Sequence, residues 1–229
     1  VTEGYGGSAK KFVKKLKNMG LCDSVDYTIP GAKQALINVP NDTVTISKMA
    51  YGYSVELSPL QMLTFYNGIA NDGKMITPLI VKEIRKNGKV IEEFESSVIR
   101  SSMCSDATLE SIRECLHDVV WNDTLGTASV NPWGTRKAQS DLVAIAGKTG
   151  TAQILEKGYS NRRHRMSFVG YFPEENPQYT CICVIHGPQW PYDAGMDCGS
   201  VVRHIAEKTM AYAGEYVIKN GELVMVVKE

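Results

Sequence analysis

The stretch Ala146-Gly147-Lys148-Thr149-Gly150-Thr151-Ala152-Gln153 holds the residue types best suited to chemistry in this chain. A cationic Lys148 can hold a carboxylate and assist ionisation of a neighbouring hydroxyl group, while Thr149 and Thr151 can donate hydrogen bonds to the same carboxylate. Gly150 has no side chain, so an extended substrate can lie directly alongside the strand. The backbone N–H of Thr151 can then serve as one of two donors to a developing oxyanion. These residue types therefore suit an edge strand that binds an extended ligand with a carboxylate.

Two nucleotide-binding motifs are matched only in part. A phosphate-binding loop of the Walker type requires a glycine five positions before Gly147 and a helix that opens at Lys148. Leu142 occupies the first position, and the residues after Lys148 alternate as in a strand. Gly4-Tyr5-Gly6-Gly7-Ser8-Ala9 matches the dinucleotide fingerprint in its Gly-or-Ala form, but only three residues precede it, too few for the required strand. The sequence thus argues against nucleotide binding.

Composition and charge restrict the remaining functions. The 229 residues include 25 Lys plus Arg and 25 Asp plus Glu, so no basic excess is available to displace counterions from a nucleic acid. The longest apolar run, Leu142 to Gly147, is far shorter than the ~20 residues of a membrane-spanning helix. The four histidines are scattered without paired-ligand spacing, so we predict neither a metal site nor a cofactor. Cys181 and Cys183 should share one face of an extended run, poorly placed to bond each other.

The first part of the chain is predicted to be mainly helical. Ser8 can cap a helix, Ser58-Pro59-Leu60-Gln61 has the residues of a capping box, and Asp106 to Trp121 has one apolar face. Ile80 to Phe94 alternates around the turn dipeptide Asn87-Gly88, which indicates a short hairpin.

Beyond Gly126 the pattern becomes that of strands with short connections, which favours antiparallel pairing. The predicted strands run from Ala146 to Leu155, Arg165 to Phe172 and Tyr179 to His186. A last helix, from about Gly199 to Tyr212, should pack Val201, Val202, Ile205, Thr209 and Met210 on one side, followed by a closing hairpin from Glu215 to Val226. The expected fold class is α+β, with helical segments followed by an antiparallel meander sheet and a C-terminal helix.

Four stretches, in this order, resemble a known family. Together they are similar to the C-terminal part of the transpeptidase domain of a class B penicillin-binding protein, a peptidoglycan D,D-transpeptidase. Their residues resemble the division or septal type more than the elongation type. The resemblance implies the penicillin-binding transpeptidase and serine β-lactamase-like fold in an incomplete form. The stretches are Ala50-Tyr51-Gly52-Tyr53-Ser54-Val55-Glu56-Leu57-Ser58-Pro59-Leu60-Gln61-Met62, Gly68-Ile69-Ala70-Asn71-Asp72-Gly73, Ala146 to Gln153, and Ser167-Phe168-Val169-Gly170-Tyr171-Phe172-Pro173.

The resemblance implies a function for the parent protein. It would cross-link peptidoglycan stem peptides at D-Ala-D-Ala through a serine acyl-enzyme, and β-lactam antibiotics would acylate the same serine. Lys148 and Thr151 are the implied catalytic residues, and Thr149, Gly150 and Thr151 the implied substrate-binding residues. The parent would lie at the periplasmic or extracytoplasmic face, anchored to the inner membrane by an N-terminal helix not present here, with divisome proteins as partners of the full-length protein.

The chain also departs from the family pattern, which requires Ser-x-x-Lys and Ser-x-Asn in addition to Lys-Thr-Gly. Ser8-Ala9-Lys10-Lys11 and Ser129-Val130-Asn131 match these literally, but the first fits a helix cap and the second a turn in a connection. We therefore expect no nucleophile in this chain, which should begin downstream of both true motifs and be inactive alone. Residues 1–229 are interpreted as a single partial domain: 1–145 mainly helical with a hairpin near 80–94, and 146–229 with the sheet, C-terminal helix and closing hairpin.

Two alternatives stay open from the sequence. One is a non-catalytic module of the same fold that binds peptidoglycan or a division partner, and the other is a β-lactam sensor or β-lactamase relative. The basic cluster Arg162-Arg163-His164-Arg165 can face an anionic glycan or stem peptide, or be an exposed turn. Trp190 and Tyr192 can line a substrate groove or pack against the last helix.

Overall fold

The computed structural model describes residues 3–23, 25, 34–37, 39, 43–154, 163–188, 192–213, 216–219 and 222–225. The chain divides into two compact units, Val1–Leu109 and Glu110–Glu229. The boundary falls inside one helix, Asp106–Trp121.

The first unit combines helices with short two-stranded pairings, in which β1 pairs with β2, β3 with β6 and β4 with β5, all antiparallel. Its elements are α1 (Ala9–Asn18), β1 (Leu36–Ile37), α2 (Thr43–Met49), β2 (Val55–Glu56), α3 (Pro59–Ala70), β3 (Met75–Ile76), β4 (Glu83–Lys86), β5 (Lys89–Glu93), β6 (Val98–Arg100) and the start of α4 (Asp106–Trp121).

Local sequence signals account for these elements. The Ser8 side chain accepts a hydrogen bond from the Lys11 backbone N–H at the start of α1, and Ser58 and Gln61 form a reciprocal capping box at the start of α3. Asn87 and Gly88 join β4 to β5 with φ values of 51° and 77°, the positive pair that a type I′ turn requires. The predicted caps and hairpin are therefore confirmed.

The second unit is built on a three-stranded antiparallel sheet in the order β7-β8-β9, with β7 at Ala146–Ile154, β8 at Arg163–Phe172 and β9 at Tyr179–His186. The predicted strands and their antiparallel pairing are confirmed, although Leu155 lies outside the described residues. One sheet face packs on the apolar core, which includes Val120, Ile145, Met166, Phe168, Cys198, Val202, Ala206 and Met210.

The bounds predicted for the C-terminal helix are confirmed, but the sequence did not predict the π-helix that precedes it. A π-helix at Gly195–Gly199 leads directly into α5 at Ser200–Tyr212. The buried residues of α5 are Val202, Ala206 and Met210, whereas Val201 and Ile205 are each 41% exposed, so placing these two on the packed face was wrong. The three buried residues recur every fourth position and so form one stripe of the helix.

The chain then forms the predicted closing hairpin, with β10 at Tyr216–Lys219 paired antiparallel to β11 at Glu222–Met225. The turn residues Asn220 and Gly221 lie outside the described part. The architecture is α+β, as the sequence predicted. Among the described helices, none is both long enough and apolar enough to span a membrane.

Candidate active site

All four predicted site residues lie on β7, the strand at one edge of the three-stranded sheet. Among the described strands β7 pairs only with β8, so its other edge is open. An open edge of this kind presents backbone N–H and C=O groups to which an extended ligand can add as a further strand. The prediction that the Lys-Thr-Gly run lies on an edge strand is consistent with this arrangement.

Close backbone approach holds β7 against β8 at the start of the site. Gly147 lies opposite Gly170, and a Cβ atom on Gly147 would be 2.5 Å from the carbonyl oxygen of Val169 and 2.6 Å from Cζ of Phe168. Phe168 is fully buried, so it has no room to retreat. Glycine at 147 is therefore required by the sheet itself, immediately before Lys148.

The Lys148 ammonium group lies over its own strand. Its Nζ donates a hydrogen bond of 2.9 Å to the backbone oxygen of Thr149 and lies 3.4 Å from the Thr149 hydroxyl. Partial desolvation lowers the pKa of Lys148 below the ordinary lysine value, although the residue keeps contact with solvent. A cation placed at the open edge beside a hydroxyl suits an incoming carboxylate.

The Thr149 hydroxyl has a second partner that the sequence did not reveal. It shares a hydrogen bond of 2.7 Å with the hydroxyl of Thr127, which lies in the loop after α4. The Thr127 carbonyl oxygen in turn accepts a hydrogen bond of 3.2 Å from Nζ of Lys137. The sequence does not indicate this contact, because Thr127 and Thr149 are 22 residues apart and no local pattern links them.

Gly150 and Thr151 complete the run. A Cβ atom on Gly150 would lie 2.6 Å from the Ser167 hydroxyl oxygen, opposite it on β8, with the Ser167 Cβ atom at 4.0 Å. The space at Gly150 is thus bounded within the sheet by one small side chain. Thr151 is exposed, and its hydroxyl and backbone lie on the strand that has the open edge.

The two literal serine motifs have structural roles. Ser8 belongs to the first unit, where it caps α1. Ser129 is fully buried and donates its hydroxyl to a carboxylate oxygen of Asp123. Asn131 accepts hydrogen bonds from the backbone N–H groups of Trp133 and Thr135, which is a turn, as predicted.

The other candidate residues that the structure describes have hydrogen-bonding or packing roles. The hydroxyl of Tyr192 bonds Nδ1 of His164 at 2.7 Å, and the Tyr192 ring packs against the core. Cys181 and Cys183 share the core-facing side of β9 as free thiols, as the alternation predicted. Trp190 and Arg162 lie outside the described residues. Within the described part of the chain, no cluster of three or more His, Cys, Asp or Glu side chains is placed to bind a metal ion.

Comparison with known proteins identifies the family. The profile of the penicillin binding protein transpeptidase domain matches residues 7–211, most of the chain. The chain belongs to this family. The resemblance to class B penicillin-binding proteins deduced from the motifs is thereby confirmed.

Relatives and a solved structure agree with this assignment. Penicillin-binding protein PbpB of Mycolicibacterium smegmatis is 30% identical over 188 residues, which are 79% of this chain and 28% of that protein. The peptidoglycan D,D-transpeptidase FtsI homolog of Mesostigma viride is 30% identical over 173 residues, 69% of this chain and 27% of that protein. The crystal structure of penicillin binding protein 3 from Mycobacterium tuberculosis, complexed with aztreonam, superposes with a TM-score of 0.72 at 25% identity, over 96% of this chain and 49% of that chain.

These matches fix the family and the fold of the transpeptidase domain. The chain spans little more than a quarter of the length of the two curated relatives. The roles of Lys148, Thr149, Gly150 and Thr151 stay predictions that rest on the geometry of β7.

Proposed function

We propose that this chain is the C-terminal portion of a peptidoglycan D,D-transpeptidase of the division type and forms part of a single transpeptidase domain. The observation that carries the proposal is the placement of Lys148 and Thr149 at the open edge of β7, with a cation and a hydroxyl 3.4 Å apart. This pair fits the terminal carboxylate of a stem peptide that ends in D-Ala-D-Ala.

In the proposed reaction, a serine hydroxyl attacks the carbonyl carbon of the penultimate D-Ala. The C–N bond breaks, the terminal D-Ala leaves as the free amine, and the acyl group is then transferred to an amine of a neighbouring stem peptide. Lys148, Thr149 and Thr151 hold the terminal carboxylate, and the backbone N–H of Thr151 donates to the oxyanion. Gly150 leaves room for the peptide beside the strand. Loss of one oxyanion donor typically costs ~100- to 1,000-fold in rate.

We further propose that the nucleophile, its activating lysine and the relay serine lie upstream of Val1, so this chain alone does not turn over. The small share of the relatives' length that the chain covers supports this. The buried or capping roles of Ser129 and Ser8 support it as well. The parent would act at the extracytoplasmic face, bind β-lactams through the same serine and work with divisome proteins.

The test is intact-mass measurement after incubation with a fluorescent penicillin. It is applied to this chain and to a version extended upstream of Val1, called here the extended protein. We expect one covalent adduct on the extended protein and none on the chain alone. A label on the chain alone would make Ser8 the leading candidate nucleophile. A label on neither would favour a non-catalytic module of the same fold that binds peptidoglycan or a division partner.

A further inference from the structure

Lys137 is a charged side chain with little access to water, which requires an explanation. Its side chain is 12% exposed, and its Nζ forms an ion pair of 2.8 Å with a carboxylate oxygen of Asp193. The same Nζ donates to the carbonyl oxygen of Thr127 at 3.2 Å. A lysine removed from water is costly unless its ammonium group is paired and hydrogen-bonded, and here both partners are directional.

The carboxylate of Asp193 also accepts hydrogen bonds from backbone N–H groups. One carboxylate oxygen accepts the backbone N–H groups of Gly195 at 2.8 Å and Met196 at 3.0 Å, at the start of the π-helix. Burial alone would raise the pKa of Asp193, but the hydrogen bond and charge of Lys137 and the two backbone N–H groups outweigh it and lower that pKa. Asp193 therefore stays ionised and links Lys137 to the helix start.

Thr127 lies between this ion pair and the site. A Cβ atom on Gly195 would be 2.3 Å from the Thr127 carbonyl oxygen, so the helix start presses directly against that carbonyl. The hydroxyl of Thr127 reaches the Thr149 hydroxyl at 2.7 Å. The contacts thus form one continuous series from Asp193 through Lys137 and Thr127 to Thr149 on β7.

The number of hydrogen bonds that a threonine hydroxyl can form indicates what this series of contacts does. A threonine hydroxyl has one hydrogen to donate and two lone pairs to accept. When Lys148 and Thr127 both donate to Oγ1 of Thr149, both lone pairs are used and its single hydrogen is free to point toward the open edge. If Thr127 is displaced, the Thr149 hydroxyl loses one partner and its orientation is no longer fixed.

We propose that Lys137 and Asp193 are positioning residues of the carboxylate subsite, which hold Thr127 so that it orients the Thr149 hydroxyl as a donor to the ligand carboxylate. This inference rests on the proposed function. Neither residue touches the ligand: they act through Thr127, and their effect is specific to the interaction that Thr149 makes with the carboxylate.

The test uses the extended protein and compares benzylpenicillin with its methyl ester, which lacks the carboxylate charge. Acylation kinetics separate the apparent binding constant from the acylation rate constant. Lys137→Met should weaken the apparent binding of benzylpenicillin on the order of 10-fold, the scale expected for a misplaced binding group. The ester carbonyl accepts a weaker hydrogen bond than a carboxylate does, so acylation by the methyl ester should fall much less. Thr127→Val, which removes only the hydroxyl, should reproduce this selective loss.

Two further variants separate positioning from simple charge. Asp193→Asn removes a negative charge, so a long-range electrostatic effect would tighten binding of benzylpenicillin, whereas loss of positioning weakens it. Arg136→Met removes a neighbouring cation whose partner is Asp141, and it should leave both ligands unaffected. The thermal midpoint of each variant is also measured. If Lys137 and Asp193 only stabilise the fold, the variants should have lower midpoints and both ligands should acylate them more slowly to the same extent.

The outcomes are distinct. Equal losses for benzylpenicillin and the methyl ester, unchanged binding in Lys137→Met, or tighter binding in Asp193→Asn would each overturn the positioning role while leaving the proposed function intact. Failure of the unmodified extended protein to be acylated by benzylpenicillin would instead refute the proposed function, and the inference with it.

Discussion

Gly150→Ala separates the two reasons for glycine in the Lys-Thr-Gly run. The added Cβ atom would meet only the Ser167 hydroxyl oxygen at 2.6 Å, and that oxygen can move by rotation of a small side chain. Overpacking of this limited kind should cost about 1 kcal/mol of unfolding free energy, the lower end of the usual range. In the double variant with Ser167→Ala, the nearest remaining atom is Cβ of residue 167 at 4.0 Å, an ordinary contact. The unfolding free energy should therefore return to within ~0.5 kcal/mol of that of the unsubstituted protein.

Gly147→Ala is the matched control on the same strand. Its Cβ atom would lie 2.5 Å from the Val169 carbonyl oxygen and 2.6 Å from the ring of Phe168, which is fully buried. Backbone cannot rotate away as a hydroxyl can, so this variant should lose about 3 kcal/mol or more, at or beyond the upper end for overpacked sites.

The assay combines chemical denaturation with penicillin acylation of the extended protein. If Gly150 provides clearance for the substrate, the double variant Gly150→Ala with Ser167→Ala should be as stable as the unsubstituted protein. It should nevertheless be acylated on the order of 10-fold more slowly, because the ligand is displaced from the strand. Normal acylation of this double variant would refute the clearance argument. The glycine would then be required only by packing against Ser167.

Three further changes test the fold around the site. Ser58→Ala removes the capping box with Gln61 and should lower the unfolding free energy by about 1 kcal/mol in a denaturant titration. Phe168→Ala empties a fully buried position and should cost about 3 to 5 kcal/mol by the same measurement, while a loss under about 1 kcal/mol would show that the core collapses around it. Burial raises the pKa of Glu174 more than its 2.8 Å contact with His117 lowers it, so its contribution to stability is fully present below the ordinary glutamate pKa of 4.5 and is lost as pH rises through the higher folded pKa. Glu174→Gln should therefore flatten the pH dependence of the thermal midpoint above pH 4.5 and leave the midpoint at pH 7 equal or higher; a lower midpoint at pH 7 would mean that the ion pair outweighs desolvation.

Short-range signals in the sequence predicted most of the elements. The bounds of α4 follow from one apolar stripe, and those of β9 from alternation between turn residues. The hairpin around Asn87 and Gly88 follows from the need for two positive φ values. In each case the deciding interaction lies within a few residues along the chain, so it can be deduced without tertiary contacts.

The packed face of the C-terminal helix, and the π-helix before it, could not be deduced in this way. The sequence predicted Val201 and Ile205 on the packed face together with Val202 and Met210. The structure buries the stripe of Val202, Ala206 and Met210 and exposes that of Val201 and Ile205. The two stripes are offset by one residue, which is about 100° around a helix. Ala206 is fully buried in the apolar core although its side chain is small, and which side of a helix faces a sheet depends on the packed pair, which hydrophobicity alone does not express.

The candidate site divides along the same line. Lys148 to Thr151 are contiguous, so their chemistry can be deduced from the sequence. In the proposed arrangement, the direction in which the Thr149 hydroxyl donates depends on its contact with Thr127. Thr127 in turn contacts Lys137, which pairs with Asp193 far along the chain. A binding motif of fixed wording can therefore differ in ligand affinity between proteins when these supporting residues differ. For this reason the variants at Lys137 and Asp193 test the site more directly than changes within the motif, since they alter the orientation of the Thr149 hydroxyl without replacing any residue proposed to contact the ligand.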